Sequence, residues 1–287
     1  MTHHPELGGN FTLGGDLRVH RLGFGAMRIT GRGIWGEPPD VEGAKALLRR
    51  VVESGVNLID TADSYGPEVS ERLIGEALHP YPDDLVIATK GGLLRPRPGR
   101  WDPDCRPEHL KEACEGSLRR LKVDRIDVYQ LHTVDRKVPL EESMGALKEL
   151  QDDGKIRHVG VSNFDVAQLE RARKIVDVVS VQNLYNLTDR RSEDVVDYCE
   201  REGLAFIPWY PLASGDAAAP DGPIAEVASL HDVTPAQISI AWLLQRSPVI
   251  LPIPGTSSIE HFEENLGGGA IDLSAEEMSR IEKAAGA

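Results

Sequence analysis

Cysteine is scarce in this chain of 287 residues: Cys105, Cys114 and Cys199 are the full set, and no C-x-x-C spacing joins any two. An odd count without that spacing speaks against a disulfide framework or a structural zinc site and points to a reducing compartment. No stretch approaches the ~18 uninterrupted apolar residues that a membrane-spanning helix needs. The opening M-T-H-H-P-E-L-G-G-N has no basic start followed by an apolar run, so a cytoplasmic protein without a secretory signal is expected. Positive charge is in the minority as well. Lys and Arg number 32 against 46 Asp and Glu, a formal net charge of −14 at pH 7. That balance argues against nucleic acid and anionic membranes as partners. A small-molecule partner is expected, and a monomer is compatible with this composition.

What is present is an alternation of short apolar runs and amphipathic stretches. Strands are predicted at 21–27, 57–62, 85–90, 125–132, 157–162, 178–183, 204–210 and 249–253, rich in β-branched residues as strands buried on both faces should be. Between them, runs such as 41–52 place Val41, Ala44, Leu47, Leu48, Val51 and Val52 on one helical face. The joints E-S-G-V-N, D-D-G-K-I and R-E-G-L-A put Gly55, Gly154 and Gly203 just past a helix and before a strand. Those joints are short, whereas the connections on the other side, 28–39, 91–106 and 211–222, are long. Eight such units predict an α/β fold, a (β/α)8 TIM barrel working at its strand C-termini. An N-terminal β-hairpin turning at Gly14-Gly15 and an extra C-terminal helix at 274–285 complete it. The whole chain, 1–287, reads as one domain, with 1–10 as a disordered tail. The string Gly31-Arg32-Gly33-Ile34-Trp35-Gly36 matches G-x-G-x-x-G, but Pro38-Pro39 delays the helix and separates it from a Rossmann fingerprint.

Four residues of complementary chemistry stand at the ends of consecutive predicted strands. Asp60 and Tyr65 lie in L-I-D-T-A-D-S-Y-G, Lys90 in L-V-I-A-T-K, and His132 in I-D-V-Y-Q-L-H. Reducing a carbonyl with hydride leaves charge on oxygen that a proton must meet. A phenol donates one, although its ordinary pKa is about 10; a nearby ammonium is expected to lower that value. Lys90 would be that ammonium, Asp60 would keep it charged, and His132 would orient the carbonyl. Each residue alone also fits a packed or turn-capping role.

The strings G-V-N-L-I-D-T-A-D-S-Y-G, V-Y-Q-L-H-T-V-D, G-V-S-N-F, V-Q-N-L-Y-N and I-P-G-T-S-S-I-E-H-F-E-E-N resemble signatures of the aldo-keto reductases over nearly the whole length. Within that family the chain is similar to bacterial members that include pyridoxal-type reductases. The resemblance implies NAD(P)H-dependent reduction of an aldehyde or ketone without metal, by Asp60, Tyr65, Lys90 and His132, with Tyr65 as general acid. It also implies NADP(H), with NAD(H) as the alternative. The cofactor would meet Ala26, Met27, Asp60, Ser162, Asn163 and Gln182, then Tyr210, Pro211 and Leu212 along the nicotinamide and pyrophosphate. Pro254, Gly255, Thr256, Ser257, Ser258, His261, Glu264 and Asn265 would take the adenosine end. The family often carries Lys or Arg at the place of Gly255 and Arg at that of His261; this chain has neither. Trp35 and Trp101 would wall the substrate pocket. Arg95, Arg97 and Arg100 read as solvated surface or as an anion receiver, and Ser214–Gly222 as a loop able to fold over the cofactor. Barrels of this family also serve as potassium-channel β-subunits, so a cofactor-binding regulatory module is the alternative function.

Overall fold

Inward-pointing side chains on each barrel strand change from apolar to polar along its length, and this gradient places the site. The computed structural model describes residues 7–212 and 222–284. Except for Gly222, the loop Ser214–Gly222 lies outside them. The strands in chain order are β1 (Asn10–Leu13), β2 (Leu17–His20), β3 (Phe24–Gly25), β4 (Leu58–Asp60), β5 (Val86–Gly91), β6 (Leu93–Leu94), β7 (Asp102–Pro103), β8 (Ile126–Leu131), β9 (Ile156–Ser162), β10 (Val178–Leu184) and β11 (Ala205–Trp209). Seven of them pair side by side in the order β3-β4-β5-β8-β9-β10-β11, all parallel.

Residues 249–253 take the eighth place without forming a regular strand. Phe206 N donates to Val249 O at 2.9 Å, Leu251 N to Phe206 O at 2.8 Å, and Gly23 N to Pro252 O at 2.9 Å. The segment thus touches both β11 and the start of the first strand and closes the barrel. Pro252 and Pro254 lack the N–H groups that a continuous ladder would use. The first strand is likewise shorter than 21–27, because the chain turns into a 3-10 helix at Ala26–Ile29.

Period-two alternation sorts the residues between two cores. Leu58, Val86, Ala88, Val128, Val179, Ala205, Ile207, Leu251 and Ile253 cluster with Leu13, Leu17 and Val19 of the hairpin. The hairpin therefore plugs the lower mouth of the barrel. Alternate strand residues such as Ile59, Ile87, Tyr129 and Val181 pack with the helices in the larger core. Further up the same inward faces, Asp60, Lys90, Gln130 and Gln182 replace the aliphatic groups and are all buried.

Helices follow the expected amphipathic runs. Two of them, Pro223–His231 and Pro235–Arg246, are separated at Asp232, which is in the left-handed region at φ 54°. The extra C-terminal helix is Ala275–Ala284. Gly55, Gly154 and Gly203 all have positive φ at the expected joints. No helix among the described residues is long and apolar enough to cross a membrane. The disordered tail expected through residue 10 is corrected for residues 7–10. Leu7 is buried in the large core, Leu22 N donates to Leu7 O at 3.2 Å, and Asn10 opens β1.

The hairpin turn offers a stability test. Gly14 has φ 58°, and a Cβ there would lie 2.2 Å from the His158 ring. Gly14→Ala is expected to destabilise the fold by roughly 1–3 kcal/mol through strain and clash. Differential scanning calorimetry reads this as a lower Tm, and an unchanged Tm would mean that the plug does not depend on the turn.

Candidate active site

Lys90 is wholly buried, and three oxygens receive its ammonium. Nζ donates to Asp60 Oδ1 at 2.6 Å, to the Thr61 carbonyl at 2.8 Å and to Tyr65 Oη at 3.4 Å. The second Asp60 oxygen accepts from Gln130 Nε2 at 3.0 Å and Gln182 Nε2 at 2.8 Å. Both charges are therefore paired and hydrogen-bonded, the condition under which a buried ion pair is tolerated. Adjacent parallel strands bring Asp60 and Lys90 together. Tyr65 returns over them on the loop after β4, with its amide donating to Ala62 O at 3.2 Å. His132 follows β8 directly and is buried beside Tyr65, their rings edge-to-face with centroids 5.9 Å apart. Its Nδ1 lies 3.3 Å from Ser64 Oγ.

Burial decides the protonation states. It is the main influence on the Tyr65 phenol and raises it above its ordinary value; Lys90 pulls down, Asp60 adds to the rise, and the net direction is up. The ammonium pulls the phenol down as expected, but burial outweighs it and corrects the expected net lowering. Burial also opposes the Lys90 charge, but Asp60 and Tyr65 outweigh it and hold the ammonium above the usual lysine range. Burial, aided by the Lys90 charge, pushes His132 well below the ordinary imidazole value, so its ring is neutral. Asp63, half-buried with a buried and unpartnered Oδ1, is driven well above the usual carboxylate range by desolvation and then by Glu71.

Asp60 and Tyr65 open on a cleft of about 790 Å³, while Lys90 and His132 lie behind its lining. Met27, Asp60, Tyr65, Gln182, Tyr210, Pro211, Leu212, Pro254 and Gly255 of the expected set line it. Ala26 lies behind the wall: its side chain is fully buried and its carbonyl accepts from Ser70 Oγ at 3.0 Å. Protein partners engage the side chains of Ser162 and Asn163. Ser162 Oγ donates to Gln182 O at 2.7 Å, Asn163 Nδ2 donates to His132 O at 3.0 Å, and Asn163 Oδ1 accepts from Trp209 Nε1 at 3.0 Å. Beyond the cleft, the helix Ile259–Gly267 begins at Ser258, whose hydroxyl accepts from His261 N at 3.3 Å. Ser258 thus takes up one of the N–H groups of the helix start, as an N-cap does. Thr256 Oγ1 accepts from Ser258 N at 3.1 Å; Ser257 and His261 are exposed, Glu264 is half-buried and Asn265 is buried.

Trp101 stands edge-on to both Tyr65 and His132, at centroid distances of 6.5 and 6.4 Å. Trp35 sits on a loop tied to the Tyr65 loop by Gly36 N donating to Gly66 O at 2.6 Å. Among the residues that escaped the reading of the sequence are Gln130, buried behind the cleft against Asp60, and Arg28, on its lining. Gln130 stands two residues before His132, so strand periodicity marked it as inward-facing. Arg28 follows Met27 and reaches the cleft as an exposed cation. Of the three loop arginines, Arg97 and Arg100 are exposed, but Arg95 is buried.

The family model described as the Aldo/keto reductase family matches residues 21–285. The chain belongs to the aldo/keto reductase family. An uncharacterized oxidoreductase of Schizosaccharomyces pombe is 50% identical over 269 residues, 94% of this chain and 88% of that one. The pyridoxine 4-dehydrogenase of Escherichia coli is 41% identical over 278 residues, 95% and 96% of the two chains. Among solved structures, an aldo/keto reductase of Klebsiella pneumoniae in complex with NADP and acetate superposes with a TM-score of 0.81 at 29% identity, covering 96% of this chain and 94% of that one. As in other aldo/keto reductases, the strands here form a (β/α)8 barrel; in this chain the Asp60–Lys90 pair lies at their C-terminal ends.

The imidazole state predicts a pH effect. A histidine held neutral in the fold but titrating near 6.5 when unfolded binds more protons in the unfolded chain. Its contribution to stability is therefore present above about pH 6.5 and lost as pH falls below it. His132→Gln should flatten the fall in urea-unfolding free energy between about pH 6.5 and 5 relative to the parent. Parallel curves would show that His132 is not held neutral.

Proposed function

We propose that this aldo/keto reductase is an NAD(P)H-dependent carbonyl reductase, returning an aldehyde or ketone as the alcohol, with Tyr65 as the proton donor. The observation that carries the reading is a phenol kept protonated by burial, touching a charged Lys90 and opening on the cleft. The relative crystallised with NADP and the one named pyridoxine 4-dehydrogenase support it.

The residues present fit a nicotinamide dinucleotide. Tyr210, 40% exposed at the cleft, offers an aromatic face, and Pro211 and Leu212 continue the wall. No carboxylate among the described residues lies within ion-pair distance of Arg28, so its charge is free to meet a phosphate. Ser257 and His261 stand exposed at the start of Ile259–Gly267, where the helix N-terminus favours an anion. NADP(H) is the cofactor we assign, with NAD(H) as the alternative. When bound, the dihydronicotinamide supplies the hydride.

The chain's own residues handle the proton. Tyr65 must be protonated to act as an acid, and burial secures that state. Handing the proton to the carbonyl oxygen leaves a phenolate that water cannot solvate. Lys90, 3.4 Å away, supplies the stabilising charge. Asp60 keeps Lys90 charged and, with Gln130 and Gln182 on its other oxygen, holds it in place. In the tautomer in which Ser64 donates to Nδ1, the neutral His132 carries its hydrogen on Nε2 and donates it to the carbonyl oxygen.

Tyr65→Phe is expected to retain dinucleotide binding, followed by cofactor fluorescence, and to lose about 10²–10⁴-fold in kcat for test aldehydes. Near-parental kcat would remove Tyr65 from this role. In Lys90→Met the kcat loss should exceed tenfold while Asp60, left unpaired, costs roughly 3–5 kcal/mol in chemical unfolding. A parent that binds dinucleotide yet oxidises none of it with any aldehyde, ketone or quinone would sink the enzymatic reading.

A further inference from the structure

We propose that Arg95 is a positioning residue of the carbonyl pocket: sandwiched between Trp35 and Trp101, it fixes Trp101 as a wall beside Tyr65 and His132 and so favours carbonyl compounds bearing an aromatic ring. This rests on the carbonyl reductase reading above.

Arg95 is 8% exposed, although its string R-P-R-P-G-R has the composition of solvated surface. On the same loop, Arg100 pairs with Asp102 at 2.8 Å and Arg106 with Asp104 at 2.6 Å. No carboxylate among the described residues lies within ion-pair distance of Arg95, in a chain with an excess of acids. Its partners are of another kind. Cζ lies 3.7 Å from the centroid of the Trp101 ring and 5.6 Å from that of Trp35. Nη1 donates to the Ser64 carbonyl at 3.2 Å and Nη2 to the Gly33 carbonyl at 3.3 Å, while Nε is buried without a partner.

One guanidinium thus joins three loops. Gly33 and Trp35 follow β3, Ser64 precedes Tyr65 after β4, and Trp101 lies after β5. Ser64 matters twice, because its hydroxyl approaches His132 and its carbonyl takes the Arg95 hydrogen bond. Stripping water from a cation without supplying an acid is costly. An apolar side chain of similar length would fill the space without that cost. What the guanidinium adds is a flat, charged plate held by indole faces and pointing hydrogen bonds in fixed directions.

Trp101 is half-buried, covered on one side by Arg95 and standing edge-on to Tyr65 and His132. The ring adjoins the proton donor and keeps part of its surface open. A ring next to a carbonyl group would pack on that surface, whereas a short aliphatic aldehyde would leave it unused.

The test compares benzaldehyde with propanal as substrates of the parent, Arg95→Met, Arg95→Lys, Trp101→Leu and the double variant Arg95→Met/Trp101→Leu. Arg95→Met should lower kcat/KM for benzaldehyde roughly tenfold, through KM more than kcat, and change propanal little. Dinucleotide Kd should stay constant, and Arg95→Lys should fall between parent and Met. In the Trp101→Leu background, Arg95→Met should add nearly nothing for benzaldehyde. Equal losses for the two aldehydes, or additive effects of the two substitutions, would overturn the proposal. Crystal structures of the Met and Lys variants decide independently of turnover: Trp101 displaced from Tyr65 and His132 supports the role, and Trp101 unmoved in both rejects it. A parent inert toward both aldehydes would count against the reductase reading, and the crystallographic result would still decide the part played by Arg95.

Discussion

A lysine with no solvent exposure survives at the centre of this barrel because Asp60 sits 2.6 Å from its nitrogen. Removing one partner of such a buried pair leaves an uncompensated charge and costs about 3–5 kcal/mol. The rest of the site is arranged around that constraint. Gln130 and Gln182 satisfy the second carboxylate oxygen, the Thr61 carbonyl takes another ammonium hydrogen, and the remaining direction points at Tyr65. The same Lys90 charge adds to burial in keeping His132 neutral. One ion pair thus sets the hydrogen-bonding roles of its neighbours.

The barrel makes this possible by separating two environments along each strand. Below, aliphatic side chains and the hairpin fill the interior; above, the inward positions carry amides and charges. A polar layer open at the bottom would admit water and weaken every electrostatic interaction in it. The hairpin prevents that. Residues 249–253 complete the wall with hydrogen bonds to both neighbours despite Pro252.

Much of this was legible in local patterns. Alternation of β-branched runs with amphipathic stretches marked the barrel, because a strand buried on both faces and a helix buried on one have different periods. Asp60, Lys90 and His132 stood out because they interrupt apolar runs at corresponding strand ends. Other features depended on neighbours distant in the chain. Gln130 had the right period but no sign that Asp60 lay opposite. The direction of the Tyr65 shift depends on how completely Trp101, His132 and the loops exclude water, which no local string records. Arg95 misled for the same reason: a basic, proline-rich string looks solvated until two indoles from separate segments close on it.

By itself, the order of residues determined which groups point inward, where helices stop and which chemistry is available, because those follow from spacing along one chain. Only the tertiary structure decided that Ser258 caps a helix, that the phenol stays protonated, that the eighth barrel position is held by isolated bonds, and that one arginine of three is buried. Each of those depends on a distance or on the exclusion of water, and both are set by segments that meet only when the barrel closes.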